Sequence, residues 1–258
     1  MKAVILAAGK GVRINGATGG APKCLLSVGG ITLIERQIQL LHSSGISQII
    51  VVVGCGADLV QMTCRDACAY VVNDRFETTN SLYSLWLARE HLQEGFVVLN
   101  ADVLFDIRLL NLLITSPHED ALLFEPRTNL SPPLGDEEMK VRIRNGLITD
   151  IAKSIEPTTA DGENVGIVKF GRAGANLLIE QMELLIMDGG NNAWAPQAFR
   201  EFTLHRPLAA ISTHGYPWIE IDFVEDYQKA CIEILPRIQH PNNKANVDGY
   251  TVKISSDL

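Results

Sequence analysis

The sequence predicts an α/β fold: a Rossmann-like mixed, mostly parallel sheet flanked by helices, with an antiparallel β excursion in its second half. Three observations carry that expectation. Short apolar runs that stop at glycine or just before it, at 3–7 and 48–53, have the composition of parallel strands buried on both faces. Segments with helical apolar spacing alternate with them at βαβ distance. Further on, Asn145-Gly146 stands between two strand-like runs, the strongest short hairpin signal.

Taken in order, the strand at 3–7 runs into a loop with glycines at 9, 11, 16, 19 and 20. Apolar residues at 31, 33, 34, 38, 40 and 41, closed by Gly45, predict a helix over 31–44 with a glycine C-cap. A strand at 48–53, a helix at 58–68 and a strand at 69–72 follow. Leu82, Leu85, Trp86 and Leu92 mark one side of a helix over 81–92, before a fourth strand at 96–99. The second half predicts strands at 121–124, 140–144, 147–151 and 165–170, then helices at 174–187 and 196–202. Strands at 208–213 and 218–221 lead to a last helix at 223–235, and the polar residues 236–258 read as a C-terminal tail.

Composition narrows the function. The chain has 258 residues, enough for one large domain, with 47% hydrophobic and 20% charged residues, as in ordinary globular proteins. Its 22 Lys+Arg against 30 Asp+Glu, a net charge of −8, argue against a nucleic-acid-coating surface. The apolar runs are too short for a bilayer, and the N-terminus lacks the pattern of a signal peptide. Five scattered cysteines without zinc-like spacing read as reduced thiols, so the expected location is cytoplasmic.

Chemistry concentrates at three places. Leu6-Ala7-Ala8-Gly9-Lys10-Gly11-Val12-Arg13, with Pro22-Lys23 behind it, puts glycines, a guanidinium and an ammonium in one loop after a buried strand. Glycines let backbone N–H groups approach a polyphosphate, Arg13 can fork onto phosphate oxygens, and Lys23 is a compact charge. No Walker lysine follows, and Ile14 replaces the third glycine of a dinucleotide fingerprint. Asn100-Ala101-Asp102 ends a strand with a carboxylate, and Glu220-Ile221-Asp222 ends another. Either aspartate alone reads most simply as a turn or helix N-cap, for which Asp106 is the better candidate. Together they suit a shared Mg²⁺ site.

These motifs resemble the sugar-1-phosphate nucleotidyltransferase superfamily over residues 1–233. Within it, Asn73, Thr79-Asn80-Ser81-Leu82-Tyr83-Ser84-Leu85 and Trp218-Ile219-Glu220-Ile221-Asp222, with Asp226-Tyr227 behind, look most like the cytidylyltransferases acting on phosphocholine or 2-aminoethylphosphonate. The resemblance implies a GT-A-like fold in one domain over 1–235, with a nucleotide-binding first half and an acceptor-binding second half. It implies Mg²⁺ as cofactor and transfer of CMP from CTP to a small phosphate or phosphonate, with release of pyrophosphate. Ala7, Ala8, Gly9, Gly11, Asn80 and Ser81 would contact the nucleotide, Arg13 the β,γ-phosphates, Lys23 the α-phosphate and Lys153 the acceptor phosphate; Asp102 and Asp222 would hold the metal. A sugar- or inositol-1-phosphate nucleotidyltransferase using CTP or another NTP is the alternative, and a homo-oligomer is compatible with either. A nucleotide-binding scaffold without turnover would be expected to lose Lys23, Asp102 or Asp222, and all are present.

Asn80-Ser81 also suits a helix N-cap, and Glu163 to Ile167 falls where the acceptor pocket is shaped. For a cationic acceptor, Trp194, Tyr216, Trp218 and Glu220 are candidates for a cage, while Trp86 reads as core. Backbone groups near Ala8 or Gly54 to Gly56 are candidates for reading the base. The segment 128–138 is long for a connection and reads as a lid or insertion, and the loop 14–21 lacks the Pro-Leu-Thr stretch common in relatives. The histidines at 42, 91, 118, 205, 214 and 240 show no metal-like spacing and read as structural or solvated.

Overall fold

The first half is built on apolar runs whose alternate residues face opposite ways. Its strands are β1 (Lys2–Ala7), β2 (Ser27–Val28), β3 (Ile31–Thr32), β4 (Ile49–Val53), β5 (Ala69–Val72), β6 (Phe96–Asn100) and β7 (Val103–Phe105). β1 lies between β4 and β6, parallel to both, and β5 extends the sheet beyond β4. Ala3, Ile5, Ile49, Val51, Val97 and Leu99 join one core cluster, while Val4, Ile50, Val52 and Val98 join the other. A fully apolar strand therefore serves two cores at once, which requires helices on both faces.

Those helices are α1 (Leu33–Ser43), α2 (Ala57–Cys64), α3 (Ser81–Leu87) and α4 (Ile107–Thr115). α1, α2 and α4 cover the first core and α3 the second. The computed structural model describes residues 1–14, 19–128 and 133–239. Part of the glycine loop, part of the long segment, most of the expected tail and His240 lie outside the described residues.

The second half adds β8 (Ala121–Pro126), β9 (Lys140–Arg144), β10 (Leu147–Ala152), β11 (Gly162–Phe170), β12 (Ala209–Ser212) and β13 (Trp218–Glu220). β11 runs antiparallel to β6 and β8, and β12 returns parallel to β8. The expected hairpin joins β9 and β10, with Asn145 and Gly146 both at positive φ as a two-residue turn of this kind needs. The result is a nine-stranded mixed sheet in the order β5-β4-β1-β6-β11-β8-β12-β10-β9. α5 (Arg172–Met187) and α6 (Ala195–Thr203) complete the second core. The last helix starts as α7 (Val224–Lys229), widens into a π turn over Ala230–Ile234 and continues over Leu235–Gln239, past the expected end at 235.

Three departures from the expected elements have local causes. Ile31 and Thr32 pair with Ser27 and Val28 as a small hairpin. The helix therefore begins at Leu33, capped by a reciprocal Thr32–Glu35 box. The helix expected over 58–68 ends at Cys64 in a 3₁₀ turn, where Arg65 takes a positive φ. Val103–Phe105, unassigned from sequence, pairs antiparallel with Trp218–Glu220 as a two-stranded ribbon. That ribbon brings the loop after β6 against the loop after β13.

Candidate active site

The C-terminal ends of β1 and β6 open into a cleft of about 410 Å³, where an open α/β sheet carries its ligands. The residues expected to meet nucleotide, phosphate or metal line it: Ala7, Ala8, Gly9, Gly11, Arg13, Lys23, Asn80, Ser81, Asp102, Lys153 and Asp222. The chain separates these residues by as many as 215 positions, from Ala7 to Asp222. The fold joins them through the two loops and the ribbon.

Each side chain is positioned from beneath. Gly11 adopts φ +59°, and a Cβ there would stand 2.8 Å from Cβ of Lys23, so the loop closes on the lysine only with glycine at this position. Among the described residues, nothing lies within 4 Å of where a Cβ on Gly9 would stand, which suits a backbone facing a ligand. The turn bearing Asp102 is pinned by buried Gln37, whose Nε2 donates to the carbonyls of Asn100 (2.9 Å) and Val103 (2.8 Å). The backbone N–H of Ile221 donates to the Asp102 carbonyl at 3.1 Å, tying the two aspartate-bearing loops together. Asp222 is not the helix cap: Asp226 accepts from the N–H groups of Asp222 and Phe223, which frees the Asp222 carboxylate for the cleft. Asp106 does take the capping role expected of it, accepting from the Arg108 N–H.

At the centre, Lys23 Nζ lies 2.6 Å from both Asp102 Oδ2 and Asp222 Oδ1. Burial alone would lower its pKa, but the two carboxylates outweigh that and hold the ammonium above the ordinary lysine range. Asp222 shows the mirror effect: burial raises its pKa, and Lys23 and Arg13 bring it below the usual carboxylate value. Asp102, Glu220 and Asp222 each present an oxygen within 4.8 Å of the others. Burial, with Asp102 and Asp222 alongside, drives the Glu220 carboxyl well above the usual range. Among the described residues, Asp102 Oδ1 is buried with no hydrogen-bond partner. A cluster of hard oxygen donors with an unpartnered carboxylate oxygen fits a divalent cation.

The rim is looser. Arg13 NH2 lies 2.9 Å from Asp222 Oδ2, its guanidinium packs 4.9 Å from the centre of the Phe223 ring, and its NH1 reaches Glu137 Oε2 at 2.8 Å. Lys153 Nζ lies 3.1 Å from the same Glu137 oxygen and 5.0 Å from the centre of the Trp194 ring. These two cations draw the Glu137 carboxyl below its ordinary pKa, Lys153 first and Arg13 next.

Asn80 both lines the cleft and caps α3, accepting from the Ser81 N–H at 2.8 Å. Ser81 Oγ accepts from the Ala195 N–H, which fixes Trp194 and Pro196 at the rim. Buried Asn73 holds the segment from behind, donating to Thr79 and Ser84 hydroxyls at 3.0 Å.

The expected cage does not assemble. Trp194 and Glu220 line the cleft, but Tyr216 packs under the Arg108 guanidinium, 4.2 Å from its ring centre. Trp218 packs on the first core and donates Nε1 to Glu125 at 3.0 Å. Gly54 to Gly56 do not line the cleft either. A Cβ at Gly54 would stand 2.8 Å from the Ala8 carbonyl, and the Cys55 N–H donates to that carbonyl, so the segment supports the loop from outside.

Glu137 was not singled out from sequence, although the segment containing it was. Phe76, Met139 and Pro196 also line the cleft without any prior signal.

A mixed sheet with a glycine loop, a lysine between two strand-end aspartates and further cations at the rim defines the class of nucleotidyltransferases. Residues 3–154 match the MobA-like NTP transferase domain, and the chain belongs to that family. It is 38% identical over 99 residues to the choline-phosphate cytidylyltransferase of Streptococcus pneumoniae, an alignment covering 38% of this chain and 43% of that protein's length. The CTP:phosphoglutamine cytidylyltransferase of Campylobacter jejuni is 24% identical over 250 residues, 88% of this chain and 98% of its own. Among solved structures, the inositol-1-phosphate CTP transferase from T. maritima shares the fold, with a TM-score of 0.74, 21% identity, and coverage of 89% of this chain and 93% of that one. No helix among the described residues is long and apolar enough to cross a membrane.

Proposed function

We propose that this nucleotidyltransferase uses CTP and Mg²⁺ to transfer CMP to a small phosphate or phosphonate of the phosphocholine or 2-aminoethylphosphonate type, releasing pyrophosphate. The observation that carries the reading is the convergence of Lys23, Asp102 and Asp222 at one point, with Arg13 and Lys153 at the rim of the same cleft. The choice of CTP and of the acceptor rests on the relatives' activities and on the Thr79-Asn80-Ser81 segment. Such an enzyme works in the cytoplasm, where its nucleotide is found.

The reaction joins two anions, so the protein's task is neutralisation and alignment. Asp102 and Asp222, with Glu220 beside them, would hold the Mg²⁺, which supplies positive charge to the phosphate oxygens. Lys23, freed from part of its carboxylate partnership, places its ammonium beside the α-phosphate as negative charge builds there. Arg13 grips the departing pyrophosphate, and Lys153 holds the acceptor phosphate. An acceptor phosphate or phosphonate oxygen is already ionised at neutral pH, so no general base is needed. Ala8 remains the backbone candidate for reading cytosine.

The test is pyrophosphate release with four NTPs crossed against phosphocholine, aminoethylphosphonate, inositol-1-phosphate and glucose-1-phosphate. Turnover of CTP with phosphocholine or aminoethylphosphonate is the expected result. Turnover only with inositol- or glucose-1-phosphate transfers the assignment to the alternative reading, and turnover of none refutes both.

A further inference from the structure

We propose that Glu137 is a built-in competitor for substrate phosphate: its carboxylate fills the anion position between Arg13 and Lys153, and an incoming phosphate displaces it. This rests on the reading above in one respect, that Arg13 and Lys153 bind phosphate. A single oxygen, Glu137 Oε2, accepts from Arg13 NH1 at 2.8 Å and from Lys153 Nζ at 3.1 Å. Arg13 stands on the loop after β1, and Lys153 follows the end of β10, so the two cations come from opposite halves of the chain. An oxygen shared by a guanidinium and an ammonium in this way makes the contacts of a bridging phosphate oxygen.

The loop that offers Glu137 is anchored. Lys140 is fully buried, and its Nζ donates to the carbonyls of Gly135 (2.6 Å) and Glu138 (3.2 Å). The Gly135 N–H in turn donates to Glu138 Oε2 at 2.7 Å. A buried ammonium is costly unless it is hydrogen-bonded, and here two of its three N–H groups donate to backbone carbonyls on either side of Glu137. The loop backbone is thus held from beneath while the Glu137 side chain is 59% exposed at the cleft rim. Its two ion pairs are of the solvent-screened kind, weak enough for a polyanion to replace. Glu137 therefore keeps Arg13 and Lys153 facing one point when the site is free, and it opposes retention of phosphate there.

The test is calorimetric titration of wild type and Glu137→Gln with inorganic pyrophosphate, and separately with phosphocholine, without nucleotide, at low and high salt. Pyrophosphate, phosphocholine or both should bind the variant about threefold to tenfold more tightly, with the gap closing at high salt. Tightening of one anion alone identifies which phosphate takes the position. In a Lys153→Met background the gain from Glu137→Gln should shrink to less than about twofold, since one of the contested cations is gone. Equal or weaker binding of both anions by Glu137→Gln overturns the proposal, and a phosphocholine loss alone would make Glu137 a contact for the cationic head group instead. Because pyrophosphate binding does not depend on which NTP is used, a failed CTP assignment and a failed role for Glu137 give different results.

Discussion

The cleft holds two groups of charges built differently. In the inner one, Lys23 is clasped between Asp102 and Asp222, and all three side chains are mostly withdrawn from solvent. In the outer one, Arg13, Glu137 and Lys153 meet at the rim, with Arg13 and Glu137 about half in water. The inner charges sit on backbone that is pinned by Gln37, Asp226 and the ribbon between β7 and β13. The outer group depends on one side chain from a loop. Where the medium is less polar and the donors cannot move, a charge change is felt strongly. Where water screens it, partners exchange with little loss. The inner group is thus suited to the reacting phosphorus, and the outer one to binding and release.

The comparison would break first at the aspartates. Asp102→Asn and Asp222→Asn should each lower turnover by roughly 100-fold to 1000-fold at saturating Mg²⁺ while circular dichroism stays that of wild type, because a metal bound by carboxylates loses an anionic ligand. Near wild-type rates in both variants would remove the metal assignment.

Lys23→Met should reduce kcat by about 100-fold with little change in KM, since its charge matters most as the transition state forms. It also leaves Asp102, Glu220 and Asp222 facing one another without their cation. Its melting temperature should therefore fall in EDTA and recover with Mg²⁺ more than that of wild type. A pure KM effect in steady-state kinetics would place Lys23 in the outer group.

Arg13→Ala should act more mildly, raising KM for the nucleotide and lowering kcat by roughly 10-fold together, and initial rates with and without added salt would show the greater ionic-strength dependence in wild type. A loss as large as that of Lys23→Met would erase the distinction between the groups.

The smallest effect concerns Glu163, on β11 opposite Glu125 and Lys140. Burial, together with Glu138 and Glu125, pushes its carboxyl up to about 7 from an ordinary 4.5. The folded chain then holds a proton that the unfolded chain releases across that window. Stability contributed by this group is present below about 4.5 and is lost as pH rises through about 7. Melting temperatures of Glu163→Gln should lack that decline, and a pH profile the same as that of wild type would show that burial does not hold this carboxyl protonated.

Much of this was legible in the chain itself. The parallel strands announced themselves because a strand buried on both faces must be apolar at every position, as at Ile49–Val53. Gly11 and Lys23 were expected in one loop and Asp102 and Asp222 at two strand ends from residue type alone, and all four line one cleft. Val103–Phe105 was not legible, since three residues beside a turn carry no periodicity and become a strand only through a partner more than a hundred positions away.

What the sequence determined by itself was the fold class, the order of its main elements and the identity of the chemical groups, because burial and phosphate chemistry act on residue types directly. What only the tertiary structure decided was which groups meet. Asp222 could have capped its helix, but Asp226 does so and Asp222 turns to Lys23. Tyr216 and Trp218 stand beside Asp222 in sequence yet face Arg108 and Glu125. Glu137 is an ordinary surface residue until the loop anchored by Lys140 sets it between Arg13 and Lys153. Side-chain direction depends on pairing between distant segments, and that pairing is settled by packing the whole chain rather than by any local stretch of it.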